Sequence, residues 1–486
     1  MSPPRMFNPV AAFFMITCLL ALPGTFAEAQ SAGAEASEEG YPRLMQGPMI
    51  GAVAHDEIRI WARLSGEYAV SVEYGRAPDL ETFQHTEPVQ SKEADDFTAV
   101  ISVGGLEPDT EYFYRVKVNG EGDRYLEDFP PFRMRTAPKP GTSHDFSIAF
   151  GSGARFGDDR LQPIWSAVDA FEPDLFLWLG DNIYGDSLFP SILREEYRRQ
   201  RDVAGLQPVL RNVSHLAVWD DHDYGLNNHN KNNPIKESAL TIFKQYWANP
   251  SYGLPEAPGI FFRYSYGQVD FFFLDDRYYR DPDMDPDTPQ KTMLGASQLS
   301  WLKTELSAST AIFKVLVAGG GWNNGKGVGE DSWAAFQNER NMIFDFIRDH
   351  EISGVVLLSG DTHVGELNVI PWSETGGYDY YDFGSSPLAQ GTPDSWLERR
   401  PERRMRSVYF QSSNFGLVEF LFEPTPRLTY RLIDTQGRSV WETFEVTAGE
   451  LVNGVTSWPS KVSELERLRQ LDYESGKGYY EVIHED

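Results

Sequence analysis

The sequence predicts an α/β core preceded by an all-β unit, and three observations carry that prediction. Between Met49 and Thr136, short segments alternate apolar and polar residues around turn signals, the pattern of half-buried antiparallel strands. From Asp145 onward the apolar segments become continuous, as in Asp174 to Leu179, which reads as strands buried on both faces of a mostly parallel sheet. After Leu367 the β pattern returns, at Phe415–Phe422, Leu428–Ile433 and Val440–Val446, so the second half should add mainly antiparallel strands.

With 486 residues the chain can bury a large core, and its length suggests two or more domains. Arg5 precedes an apolar stretch from Val10 to Leu22, and Ala27-Glu28-Ala29 fits a small-residue cleavage pattern. Residues 1–29 are therefore expected to be a signal peptide cleaved after Ala29, making the protein secreted or periplasmic. That stretch is too short for a comfortable membrane span, and no later run is long and uncharged enough, so no transmembrane segment is expected. Cys18 is the sole cysteine and lies within the expected signal, which leaves the mature chain without disulfides or a thiolate ligand. The net charge of −29 argues against nucleic acid as a preferred partner.

Element by element, residues 30–43 read as a low-complexity linker rich in Ala, Ser and Glu, and 44–138 as a β-sandwich. Glu57–Ala62 and Tyr68–Tyr74 alternate, and the turn Gly105–Thr110 leads into the strand Glu111–Val116. The spacing of Leu106, Pro108, Thr110, Tyr112, Tyr114 and Val116 resembles a fibronectin type III domain. Ala137–Gly141 is a second linker. Within 144–447 the order is a strand at Phe146–Phe150, then helices at Pro163–Phe171, Ser191–Ala204 and Glu237–Trp247. Strands at Val269–Leu274 and Phe313–Ala318 come next, with helical periodicity at Gln298–Leu306 and Ser332–Asp349. The tail, 448–486, carries a terminal helix over Lys461–Leu471.

Three of the buried strands end in acid- and histidine-rich loops. Asp174–Leu179 runs into Gly180-Asp181-Asn182-Ile183-Tyr184, His215–Trp219 into Asp220-Asp221-His222-Asp223, and Gly354–Leu358 into Ser359-Gly360-Asp361-Thr362-His363. In parallel sheets ligands collect beyond the carboxyl ends of the strands, so these loops are expected to converge. Asp181 is a candidate metal ligand and can bridge two cations. Tyr184 becomes a useful ligand only when a strongly charged cation lowers its pKa from about 10. Clustered carboxylates at Asp220, Asp221 and Asp223 raise one another's pKa unless a cation joins them. His222 among them should hold its proton tightly, which suits a general acid. Asp361 and His363, two residues apart, can face one site. The constellation suits hard cations and hydrolysis of a phosphate ester.

On these segments, together with Phe150-Gly151-Ser152, Leu274-Asp275-Asp276-Arg277 and Ser385-Ser386-Pro387-Leu388, the chain resembles the PhoD-like alkaline phosphatase/phosphodiesterase family of metallophosphoesterases. The resemblance covers roughly Met49 to Val446. It implies a two-sheet metallophosphoesterase core and at least two metal ions, with Asp181 bridging, Tyr184 and His363 on the first metal, and Asp221 and Asp361 on a second site where calcium is usual. It gives His222 the leaving group. Arg277 is placed to offer a guanidinium to the phosphate-ester substrate, or else to pair with Asp275 or Asp276.

The chain departs from that family at one ligand. Where the family has a cysteine that ligates iron, Gly153 stands after Ser152 here. Loss of a thiolate favours a harder, oxygen-rich site. Three outcomes are open: water or Ser152 fills the position, the first metal becomes zinc, manganese or calcium rather than iron, or the site is weak. The expected reaction is in-line attack on phosphorus by a hydroxide that the cations activate. Two rival readings keep the fold: a secreted metal-binding or adhesion protein that has lost catalysis, and a hydrolase of another ester such as sulfate.

Overall fold

A computed structural model describes residues 41–126, 129–393 and 403–474. The expected signal peptide, most of the 30–43 linker and residues 475–486 of the tail lie outside these. The N-terminal part is all β, as the alternating pattern predicts. Strands β1 (Leu44–Val53), β2 (Glu57–Leu64) and β4 (Thr98–Gly104) form one antiparallel sheet, in the order β1-β2-β4. In a second antiparallel sheet, β3 (Ala69–Gly75) pairs with β5 (Glu111–Val118), which also pairs with β6 (Phe132–Arg135). The alternation in β5 puts Tyr112, Tyr114, Val116 and Val118 inward and leaves the intervening residues partly exposed.

This β unit is welded to the α/β core. Ala52 N–H donates to the Ala248 carbonyl at 2.9 Å, Ser214 Oγ to the Gly51 carbonyl at 2.7 Å, and Tyr264 Oη to the Val53 carbonyl at 2.8 Å. A side chain on Gly51 would meet Ala248 Cβ at 2.4 Å, so β1 comes closer to the core than any larger residue permits.

The core consists of two sheets. In the first, β7 (Phe146–Gly151), β8 (Leu175–Leu179) and β9 (Ser214–Val218) run parallel. The antiparallel strands β16 (Asn414–Leu421), β17 (Arg427–Asp434) and β18 (Phe444–Thr447) extend it beyond β7, in the order β9-β8-β7-β16-β17-β18. In the second, β11 (Val269–Phe273), β12 (Phe313–Val317), β13 (Val355–Ser359) and β15 (Tyr380–Gly384) run parallel. There β10 (Phe262–Tyr266) flanks β11, and β14 (Glu366–Ile370) flanks β15, both antiparallel. The five-residue parallel strands are buried along their whole length, in keeping with their largely apolar sequences, and they bury His215, Asp270 and Lys314 as well.

Aromatic rings join the sheets. Phe420 on β16 lies 6.2 Å from Phe271 and 5.6 Å from Phe313, and Tyr430 on β17 lies 4.7 Å from Phe383, centroid to centroid. Such pairs add roughly 0.5–1.5 kcal/mol each beyond their burial.

Helices α1 (Ile164–Phe171), α2 (Pro190–Arg201), α3 (Gln207–Asn212), α4 (Asp221–Tyr224) and α5 (Lys236–Tyr246) fall between the strands of the first half. Helix α5 buries Ala239, Leu240, Ile242, Phe243 and Tyr246, an apolar face at helical spacing. Helices α6 (Gly295–Ala308), α7 (Gln337–Asp349) and α8 (Glu464–Glu474) belong to the second half. Among the described residues no helix is long and apolar enough to cross a membrane.

Candidate metal centre

The site is built where β7, β8 and β9 of one sheet and β11, β12, β13 and β15 of the other release their chains at the carboxyl ends. Glycine makes the loops meet. A Cβ on Gly180 (φ +83°) would lie 2.5 Å from Asp220 Cβ, and one on Gly360 would lie 2.6 Å from Ser152 Oγ and 2.7 Å from the Leu179 carbonyl. Three residues of these loops take the left-handed conformation without being glycine: Asp181 at φ +49°, Asp361 at +65° and His363 at +56°. Such backbone costs of order 1–3 kcal/mol per residue and persists where surrounding structure imposes it.

Asp181 is the centre of the arrangement. Its ligating atoms group within 4.8 Å with those of Asp221 and His222, and separately with those of Asp220 and Asp361. Tyr184 Oη donates to Asp181 Oδ2 at 3.0 Å, and His363 Nε2 lies 3.1 Å from Tyr184 Oη and 3.7 Å from Asp181 Oδ2. The structure thus brings Asp181, Tyr184, Asp221, His222, Asp361 and His363 together from three separate loops. Asp220 joins them, and the sequence reading did not make it a ligand.

The electrostatics suit a cation. Asp181 Oδ1 and Asp220 Oδ2 are buried with no hydrogen-bond partner, an arrangement that is costly without compensation. Burial pushes the Asp220 and Asp221 carboxyls up, Asp221 to about 6, with Arg277 opposing and the neighbouring carboxylates adding to the rise. Burial and Asp181 likewise hold the Tyr184 phenol above its ordinary range. Burial works against the charged form of His222, yet Asp181, Asp186 and Asp221 outweigh it and hold the imidazolium up to about 10. His222 Nδ1 meets Asp186 Oδ1 at 2.5 Å, and its ring packs against Tyr184 at 4.2 Å between centroids. Carboxylates, a phenol and imidazoles with two orphaned oxygens fit hard or borderline cations.

Arg277 corrects the sequence expectation. Its side chain is fully buried, its Nη1 and Nη2 make parallel bonds of 3.0 and 2.8 Å to Asp331, and its Nε bonds Asp220. A guanidinium so enclosed has no face open to a phosphate, and its carboxylate partners are not Asp275 or Asp276. Those two satisfy backbone instead: Asp275 accepts from Ile260 N–H at 3.0 Å and Tyr278 N–H at 2.9 Å, and Asp276 from Gly320 N–H at 2.9 Å. Asp223 is likewise a brace, bonded by Tyr197 Oη at 2.9 Å and Asn182 N–H at 3.1 Å. Ser152 Oγ accepts from Asp361 N–H at 2.9 Å and donates to Ser386 Oγ at 3.0 Å, which ties the strand end after β7 to the Asp361 loop.

Several residues at the site were not singled out in the sequence. Lys326, in the glycine-rich loop after β12, forms an ion pair with Asp361. Arg155 lies over the Tyr184 ring at 4.9 Å and is partly exposed. Gln390 Nε2 contacts both Tyr184 Oη and His363 Nε2. The Asn-rich segment 227–233 borders the site, with Asn228 N–H donating to Asp221 Oδ2 at 2.6 Å, whereas Lys231 is committed to Asp281. Nothing in the composition of the loop that begins Gly319-Gly320-Gly321-Trp322 marks Lys326 as the residue that turns inward.

Alkaline phosphatase D of Bacillus subtilis (strain 168) is 27% identical over 314 residues, 54% of this chain and 52% of that protein, so the match spans about half the relative's length. A solved structure of PhoD superposes with a TM-score of 0.67 at 19% identity, covering 88% of this chain and 95% of the other. Purple acid phosphatase PPD1 from yellow lupin (Lupinus luteus) gives 0.59 at 12% identity, covering 87% and 75%. These two likenesses establish a shared mixed α/β, multi-sheet fold. The model of the PhoD-like phosphatase N-terminal domain matches residues 28–138. Because the PhoD-like phosphatase model itself matches residues 148–423, more than half of the sequence, the chain belongs to the PhoD-like phosphatase family.

Proposed function

We propose that the protein is a metal-dependent phosphoric ester hydrolase, a phosphatase or phosphodiesterase, exported from the cytoplasm. The observation that carries this reading is Asp181, shared between two groups of ligating side chains at the strand ends of a PhoD-like fold. Asp181 would serve both cations, with Tyr184 and His363 completing the first set and Asp220, Asp221 and Asp361 the second, calcium suiting the oxygen-rich second set and iron, zinc or manganese the first. Bound there, the ions supply Lewis-acid polarisation of the phosphate and a water of lowered pKa.

The chain's own groups do the rest. His222, protonated and oriented through Nδ1 by Asp186, donates a proton from Nε2 to the departing alkoxide oxygen. Lys326 and Arg155, rather than Arg277, are the cationic side chains at the site that can meet phosphate oxygens. Asp181 stays charged, because His222 and His363 together overcome the effect of its burial. The all-β unit, read as fibronectin type III-like, would brace the core through β1. Turnover of a phosphomonoester and a phosphodiester, measured beside a sulfate ester with the metal content of the same sample, tests the proposal. Bound metal with turnover of neither phosphate ester would favour the binding-protein alternative, and turnover of the sulfate ester alone would favour the sulfatase.

A further inference from the structure

Gln390 reaches the point where three donor groups already meet. Its Nε2 contacts Tyr184 Oη and His363 Nε2, atoms 3.1 Å apart and respectively 3.0 and 3.7 Å from Asp181 Oδ2. Donors bonded to one cation at about 2.0–2.2 Å stand roughly 3.0–3.5 Å from one another in octahedral or tetrahedral arrangements. Tyr184 Oη, His363 Nε2 and Asp181 Oδ2 are therefore separated much as donors of a single coordination sphere are, and the Gln390 amide presses on the first two at shorter range than that.

The backbone aims Gln390 there. Leu388 N–H donates to the Ser152 carbonyl at 2.7 Å, Ala389 N–H to the Gly153 carbonyl at 2.9 Å, and Arg155 N–H to the Ala389 carbonyl at 3.0 Å. This short parallel ladder lays 388–390 alongside 152–155. Gly153 holds φ +72°, and a Cβ on it would lie 3.1 Å from Gln390 Nε2 and 3.1 Å from Pro387 Cβ. The side chain that position 153 lacks and the carboxamide of Gln390 therefore compete for the same space.

We propose that the Gln390 carboxamide is a ligand of the ion held by Asp181, Tyr184 and His363, bound through its Oε1. A half-turn about the terminal bond exchanges Nε2 for Oε1 with almost no change of shape, so the amide that donates to Tyr184 and His363 can instead present oxygen to an ion. The ligand is neutral and hard, which shifts the site's preference toward cations that favour oxygen and nitrogen over sulfur. This inference rests on the metal-dependent reading of the site.

The test uses the full-length protein and the variants Gln390→Ala, Gln390→Glu and Asp181→Asn. Each is stripped with chelator and titrated with Mn2+ alone by calorimetry, with thermal unfolding as a check on folding. Gln390→Ala is expected to weaken the tighter Mn2+ site at least tenfold. Gln390→Glu, which keeps an oxygen and adds a charge, is expected to tighten it several-fold and decides the question alone if the alanine variant does not fold. Equal affinity in the wild type and both Gln390 variants, with Mn2+ binding lost in Asp181→Asn, overturns the Gln390 assignment and leaves the metal site standing. Unaltered binding in Asp181→Asn overturns both.

Discussion

Arg277 and Asp331 face each other through two parallel N–H···O bonds of 3.0 and 2.8 Å, both side chains sealed from solvent. Asp331 also takes Arg280, and Arg277 also takes Asp220, so one ion-pair network ties the loop after β11 to the loop after β9 and holds Asp220 in place. Removing one member of such a network strands a buried charge.

Asp331→Ala is therefore expected to lower unfolding free energy by about 3–5 kcal/mol, read from urea unfolding. Arg277→Ala should do the same. If Arg277 were instead a substrate ligand, its loss would raise KM and leave stability unchanged.

Asp181→Asn should remove turnover and reduce bound metal together, because Asp181 belongs to both donor groups. His363→Ala should remove turnover with loss of one ion. Full activity in both variants would refute the site.

His222→Ala should spare substrates with good leaving groups and slow those with poor ones by about 10²–10⁴-fold, the usual range for a lost general acid. Comparing aryl and alkyl phosphate esters reads this out. An equal loss on both classes would assign His222 to binding rather than to proton donation.

Lys326 neutralises Asp361, so a cation arriving there competes with its ammonium. Lys326→Met should tighten calcium binding by about tenfold while weakening inorganic phosphate as an inhibitor. Calcium titration and inhibition assays measure the two effects separately.

The buried imidazole of His215 accepts from Trp178 Nε1 at 3.0 Å and reaches the Val209 carbonyl at 3.1 Å, which makes it the neutral Nε2–H tautomer. Burial depresses its pKa from 6.5 to about 3. The unfolded chain takes up this proton below pH 6.5 and the folded chain does not, so stability is intact above 6.5 and falls as pH drops toward 3. The slope from this group is up to about 1.4 kcal/mol per pH unit. His215→Gln should flatten the dependence between about pH 6 and 4 in urea unfolding, whatever its effect near neutrality.

The parallel strands were legible because burial on both faces leaves a mainly apolar signature, continuous in Leu175–Leu179 and interrupted only by Lys314 in Phe313–Val317. Glu366–Ile370 and Tyr380–Gly384 were not legible individually, since Glu366, Asn368 and Asp382 are polar residues buried by pairing within the sheet region. The strand expected from Val440 begins only at Phe444. At the site, the loop residues with a recognisable neighbourhood, Asp181, Tyr184, Asp221, His222, Asp361 and His363, meet as the topology demands. Arg277 misled because its sign of charge was visible but its partner, 54 positions away, was not. Lys326 and Gln390 are single polar residues in loops, and only the fold reveals which way each one turns.

The left-handed turns at Asp181, Asp361 and His363 have a consequence for how the protein matures. Their shape is imposed by glycine-tight contacts between strand ends, so the scaffold can be complete before any ion arrives. Loading then becomes a late docking event onto a finished frame, and stripping the ions should leave the far-ultraviolet circular dichroism spectrum unchanged.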